Sequence, residues 1–377
     1  MKISYITTYN ALDVHNWSGL GYNLAKTLTD QNAELEYIGN LTMKNDKLLK
    51  LKRLLYRKLG QRYLIDRSFS VAKGYADQVA KRISSSSDCI FSPGSVPIAY
   101  LDTRKPKVFY TDATFAGMVG FYDTFSNLSA ETIRQANKLE QAALSSCSLA
   151  IYSSDWAART AIDNYKVDPE KVKVVPFGAN IECNRSTDDI KKIIRQRSKT
   201  TCKLLFLGVD WERKGGALAV DIMQALNKAG LSTELHIAGL NSLPFATMPD
   251  RVINHGFISK SSPEGVAKIE KLIAESHFLI LPTKAEAYGL VFCEANSFGV
   301  PAIATNVGGI PTIIKNDVNG RLFPLSATAI EYADYIKDLY SHYQRYEDMA
   351  LSSFNEFQNR LNWKVAGKSI INLLKGL

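Results

Sequence analysis

The chain predicts an α/β fold built from two doubly wound, mostly parallel sheets. Strand-like runs alternate with helical patterns along its whole length, and the series breaks once in the middle and starts again. At 377 residues, 46% of them hydrophobic, it has material for two domains with separate cores.

The first series opens with the strand KISYITTY (2–9). A loop follows, ending in Trp17-Ser18-Gly19-Leu20-Gly21, and a helix begins at about Leu20. Further strands are expected at 89–91, 108–111, 149–152 and 172–175, with helical patterns at 71–84 and 129–146. Pro176-Phe177-Gly178-Ala179-Asn180 interrupts the pattern, and a polar, charged stretch runs over 187–201. Strands then return at 203–207, 233–238, 252–254, 278–281 and 301–305, before a wholly helical segment from 326 to 377. The boundary is expected near 180–200, with a first domain over 1–185 and a second over 200–356. Two such sheets leave a cleft between them, and ligands of these sheets bind at the carboxyl ends of the strands.

Composition narrows the function. The net charge of +9 favours an acidic partner: nucleic acid, anionic lipid or a phosphorylated substrate. Cys89, Cys147, Cys183, Cys202 and Cys293 are scattered and odd in number, which argues against a disulfide scaffold or a zinc site. His15, His236, His255, His277 and His342 have no metal-ligand spacing, and no DxD motif is present to hold a cation on a diphosphate. No apolar run reaches the ~18–20 residues that span a bilayer, so a soluble, cytoplasmic protein is expected.

Residues 282–294, PTKAEAYGLVFCE, are the most informative stretch. An apolar strand leads into them, and a helix is expected onward to Phe298. Strand, glycine turn and helix start make an anion site, because the leading amides of a helix have no partners within it and its dipole places positive charge there. Glu286 lies in the turn before those amides, and Glu294 about one turn inside the helix. Tyr288, Gly289 and Leu290 stand between them. A carboxylate on each side of a phosphate-binding amide cluster suits a nucleotide-sugar. Glu294 sits in a helix that is apolar on most sides, so it needs a partner.

Gly208-Val209-Asp210-Trp211-Glu212-Arg213-Lys214-Gly215-Gly216 follows a strand and opens a helix. Arg213 offers a fork of donors suited to phosphate, and Lys214 a point charge. Ser18-Gly19-Leu20-Gly21 is not GxGxxG, and no acid stands at the ribose-binding distance, so a dinucleotide site in the first half is not expected. Asp112, after the strand 108–111, either points into the cleft or caps the next helix. The run 44–67 is rich in lysine and arginine, with Leu48, Leu51, Leu55 and Leu59 at helical spacing. Either it lies on an anionic membrane or its leucines pack on their own domain.

The GVDWERKGG, EAYGLVFCE and GVPAIATNVGGIP segments, in that order and spacing, resemble the donor domain of the GT-B fold glycosyltransferases, specifically the large retaining family numbered four. The resemblance covers nearly the whole chain and is strongest over 203–324. It implies two Rossmann-like domains facing across a cleft, with a C-terminal helix (about 357–377) crossing back to complete the first. It implies that Glu286 contacts sugar hydroxyls and Glu294 the ribose. Arg213, Lys214 and the amides of Gly289 and Leu290 would hold the diphosphate beside Gly208 and Tyr288, and Gly19 would close over it from the other domain. Two positions depart from the family pattern. Val209 stands where many members have arginine, and Asp112 where many have histidine.

The expected activity is retaining, metal-independent transfer of a sugar from a UDP- or GDP-sugar to a hydroxyl of a glycan or glycolipid. Arg213, Lys214, Glu286 and Asp112 are the candidate catalytic residues. No cofactor is expected and no nucleic-acid partner; an anionic membrane surface at the inner membrane face is a candidate partner through 44–67. The competing classes are a non-catalytic nucleotide-sugar-binding subunit and another GT-B enzyme, such as a phosphorylase or epimerase.

Overall fold

A computed structural model describes residues 1–43 and 46–377. It divides into two compact units, Met1–Asn180 with Trp363–Leu377, and Ile181–Asn362. The chain therefore passes between them twice, after Asn180 and after Asn362. Residues 181–200 group with the second unit.

The first unit holds strands β1 (Lys2–Ile6), β2 (Glu34–Ile38), β3 (Cys89–Ser92), β4 (Lys107–Thr111), β5 (Leu149–Tyr152) and β6 (Val172–Val174). Its helices are α1 (Leu20–Asp30), α2 (Lys47–Lys58), α3 (Phe69–Ala80), α4 (Phe115–Met118), α5 (Ala130–Ser146) and α6 (Asp155–Asn164). The strands lie parallel in the order β2-β1-β3-β4-β5-β6. Central strands are buried on both faces, which is why they read as unbroken apolar runs. Val79, Ile90, Phe109, Leu139 and Ala143 meet in the core between the sheet and its helices. Ser129 and Ser154 start α5 and α6 by accepting from Thr132 N and Ala157 N.

The second unit holds β7 (Cys202–Leu207), β8 (Thr233–Ala238), β9 (Val252–Asn254), β10 (Phe278–Leu281), β11 (Ala302–Thr305) and β12 (Gly320–Phe323). Its helices are α7 (Thr187–Gln196), α8 (Trp211–Lys214), α9 (Gly216–Lys228), α10 (Pro263–Glu275), α11 (Leu290–Asn296), α12 (Ile310–Ile313), α13 (Ala329–Ser341) and α14 (Tyr343–Arg360). A last helix, α15 (Trp363–Lys375), packs against α1 in the first unit. Gly367 makes this close approach possible, since a Cβ there would stand 2.5 Å from Thr27 Cγ2.

The second sheet has the order β12-β11-β10-β7-β8-β9, again parallel. The chain fills one half from β7 outward and then returns to lay β10 on the other side of β7. The crevice of such a sheet opens at this reversal, above the carboxyl ends of β7 and β10.

Several expectations need correction. Two strands escaped the sequence reading, β2 and β12. The strand expected over 2–9 ends at Ile6, and α11 ends at Asn296 rather than Phe298. The polar stretch 187–201 contains α7, a helix the sequence pattern does not announce. Ser186 and Asp189 form a capping box for α7. Arg197, 3% exposed, donates to the carbonyls of Ala274, Phe298 and Gly299 and to the Tyr346 hydroxyl.

Candidate functional site

β7 leads into Gly208-Val209-Asp210, and Asp210 caps the single-turn α8. Its Oδ1 accepts from Arg213 N at 3.1 Å, and its Oδ2 accepts from Arg213 Nε at 3.1 Å. The guanidinium is thereby aimed by the same residue that starts the turn. Gly215 closes α8 and opens α9 at φ +78°, and a Cβ there would stand 2.1 Å from the Pro282 carbonyl. The corner between α8 and α9 thus lies flush against the chain leaving β10. Two bonds zip these segments together: the Arg213 carbonyl accepts from Lys284 N at 2.8 Å and from Thr283 Oγ1 at 2.9 Å.

This seam brings three of the candidate residues together. Arg213 Nη1 donates to the Ala285 carbonyl at 2.8 Å and lies 3.4 Å from Glu286 Oε2. Lys214 Nζ donates to the same Oε2. The Lys214 and Glu286 side chains are only 10% and 12% exposed. Removing either would leave its partner's charge in a largely dry place. The Glu286 backbone is fixed too, with its carbonyl accepting from Gly309 N at 3.1 Å. Charge within the cluster balances, with Arg213 and Lys214 set against Asp210 and Glu286.

Gly289 precedes α11 at φ +98°, and no side chain caps that helix start. Tyr288 is buried, with its hydroxyl 3.7 Å from Cys293 Sγ. Burial pushes the Cys293 thiol up to about 12, so it stays protonated at neutral pH and is no nucleophile. Glu294 is 2% exposed, and its Oε1 accepts from Lys260 Nζ at 2.5 Å. The need for a partner was readable from the apolar helix. Which residue meets it was not, because Lys260 lies 34 positions earlier in a loop without a motif.

In the first unit Trp17, Ser18 and Gly19 adopt left-handed backbone in succession, at φ 47°, 53° and 78°. The first two are unusual for residues with side chains. Asn180 Nδ2 donates to the Ser18 carbonyl at 2.8 Å, Trp363 Nε1 donates to Asn180 Oδ1 at 2.9 Å, and Asn23 Nδ2 donates to the Gly19 carbonyl at 2.9 Å. The loop is thus held by side chains from both ends of the first unit. Asp112 follows β4 and is half-buried. The N-cap of α4 is Thr114, its hydroxyl accepting from Gly117 N at 3.0 Å.

Residues 201–342 match the family described as glycosyl transferases group 1. This group 1 match contains both site loops, Gly208–Gly216 and Pro282–Glu294. A D-inositol 3-phosphate glycosyltransferase of Paenarthrobacter aurescens is 24% identical over 225 residues, covering 57% of this chain and 54% of the relative. The chain spans about half the length of the curated relatives it matches. Among solved structures, HepE of Anabaena in complex with UDP and glucose has a TM-score of 0.63 at 18% identity, with all of both chains covered. WaaG, a glycosyltransferase involved in lipopolysaccharide biosynthesis, also has a TM-score of 0.63, at 15% identity and full coverage of both. At such identities the likeness is one of fold. With the two six-stranded parallel sheets, it assigns the chain to the GT-B architecture.

Proposed function

We propose that this chain is a retaining glycosyltransferase that uses a nucleotide-diphosphate sugar. The observation that carries the reading is the convergence of Arg213, Lys214 and Glu286 at the chain reversal of the second sheet, inside the group 1 match. The Anabaena neighbour was solved with UDP and glucose, which supports a UDP-sugar as donor. The neighbour involved in lipopolysaccharide biosynthesis supports a glycan or glycolipid hydroxyl as acceptor.

In the free chain Glu286 occupies the two cations. A diphosphate arriving at this corner takes its place on Arg213 and Lys214, and the released carboxylate turns to the sugar hydroxyls. The bond from the anomeric carbon to the phosphate oxygen then breaks, and charge grows on the leaving diphosphate. Arg213 and Lys214 stabilise that charge in a site largely shielded from water, where such contacts are strongest. The acceptor oxygen bonds to the anomeric carbon from the face the phosphate leaves, and its proton passes to the departing phosphate. Glu294, oriented by Lys260, accepts from the ribose hydroxyls.

The test is turnover of a panel of UDP- and GDP-sugars against glycan and glycolipid acceptors, with the anomeric configuration of the product read by NMR. A product with the donor's configuration supports the reading. An inverted product, or binding without transfer across the panel, overturns it.

A further inference from the structure

Within the run 44–67 the structure forms α2 over Lys47–Lys58, a helix with two unlike sides; Lys44 and Asn45 lie outside the described residues. Asp46 caps α2, its Oδ1 accepting from Leu48 N and Leu49 N. One side is docked. Leu49 is 6% exposed, Tyr56 stacks on Tyr63 with ring centroids 5.4 Å apart, and Glu131 on α5 accepts from Lys52 Nζ at 2.6 Å and from the Tyr56 hydroxyl at 3.1 Å. These contacts fix the helix in rotation.

The adjoining side is left bare. Leu48, Leu51, Leu55 and Leu59 recur at spacings of three, four and four, which aligns them in one stripe. They are 59%, 52%, 52% and 73% exposed, and Leu54 beside them is 45% exposed. Lys47, Lys50, Arg53, Arg57 and Lys58 on the same helix are also exposed. They make no ion pair among the described residues. Asp46 is the one acid between 46 and 65. Among the described residues nothing in its own unit buries this leucine stripe.

We infer that this face of α2 is a docking surface for an anionic lipid bilayer. The chemistry decides the occupant. Leucines at helical spacing enter the acyl boundary of a bilayer, and lysines and arginines around them meet its phosphates. An apolar partner protein would match the stripe but not the surrounding excess of positive charge. The surface stands whatever the reaction of the second unit. That a membrane would supply a lipid-linked acceptor rests on the activity proposed above.

Both loss of function and loss of fold can be separated in one experiment. The full chain is spun with vesicles of phosphatidylglycerol and phosphatidylcholine, and with phosphatidylcholine alone, at low and high salt. One variant carries Leu48→Ser, Leu51→Ser, Leu55→Ser and Leu59→Ser. A second carries Lys47→Gln, Lys50→Gln, Arg53→Gln and Lys58→Gln. Lys52 is left in place, since its pair with Glu131 belongs to the fold. All eight positions are exposed, so the melting temperature should not move.

The wild type should pellet with the anionic vesicles only. The charge variant should lose about six-hundredfold in partitioning at low salt, since it removes four cations and each near the surface is worth about fivefold. The leucine variant should lose the part of binding that survives high salt. Failure of the wild type to pellet at low salt overturns the inference, as does a leucine variant that binds like the wild type at every salt. Sizing by light scattering supplies the remaining outcome: a wild-type dimer that the leucine variant dissolves would assign the face to a second copy instead.

Discussion

Two glycine loops of this chain look alike in sequence and differ in what surrounds them. Gly19 and Gly215 each follow the first strand of a sheet, take φ of +78°, and open a helix that no side chain caps. Around Gly215 the chain is packed backbone to backbone, and two cations and two carboxylates gather within a few ångströms. Around Gly19 the loop is held by asparagine amides, and its neighbours Trp17 and Ser18 share the left-handed backbone. The difference teaches that a glycine before a helix marks only a tight approach. Chemistry is assigned by the charges gathered beside it, and here Asp210, Arg213 and Lys214 of the same loop meet Glu286 from the loop after β10.

The largest expected effect tests that charge. Lys214→Ala should slow turnover by about 10²–10³-fold, the usual worth of one lost donor on developing charge, about 2.7–4 kcal/mol. Binding of the bare nucleotide should fall much less. Steady-state kinetics beside calorimetry reads both, and wild-type turnover in the variant would remove Lys214 from the reaction.

Packing gives the next effect. Gly215→Ala and Gly19→Ala each incur about 1–2 kcal/mol of left-handed strain. A Cβ at Gly215 would also run into the Pro282 carbonyl at 2.1 Å, whereas at Gly19 the nearest atom is the Val14 carbonyl at 3.3 Å. Scanning calorimetry should therefore show the larger loss for Gly215→Ala. Equal melting shifts in the two variants would break the comparison.

The two glutamates sharpen it further. Glu286→Ala frees Arg213 and Lys214 from their carboxylate, so the bare nucleoside diphosphate should bind at least as well while the sugar-bearing donor binds worse. Glu294→Ala and Lys260→Met should weaken both ligands by a similar factor, roughly tenfold for a hydrogen bond to a charged group. Titration calorimetry with both ligands decides it, and equal losses of both in Glu286→Ala would refute the division of roles. The smallest effect is expected from chelation: turnover should be unchanged in EDTA. A loss that manganese or magnesium restores would show that the cations of this corner do not suffice for the diphosphate.

Sequence and structure agree best where a segment is buried on both sides. β5 and β10, buried at every position, have the limits their apolar runs suggest. The two strands that escaped notice, β2 (ELEYI) and β12 (GRLF), are edge strands of their sheets. An edge strand keeps charged residues on its open side, so the apolar signal fades. The amphipathic run near residue 50 was legible as a helix. Which leucines it shows to solvent was not, because that depends on Glu131 taking hold of Lys52 and Tyr56 from about 80 positions away.

The sequence by itself determined the α/β alternation, its restart in a second sheet, the two glycine turns and the candidate residues within them. These are local properties, written in the spacing of apolar residues and in backbone preferences over a few positions. Only the tertiary structure decided who pairs with whom. Glu286 meets Lys214 and Arg213 across 72 and 73 positions, Glu294 meets Lys260 across 34, and Asn180 clamps Ser18 across 162. An ion pair depends on distance in space, and no spacing along the chain encodes that until the parallel sheet has placed the ends of β7 and β10 side by side.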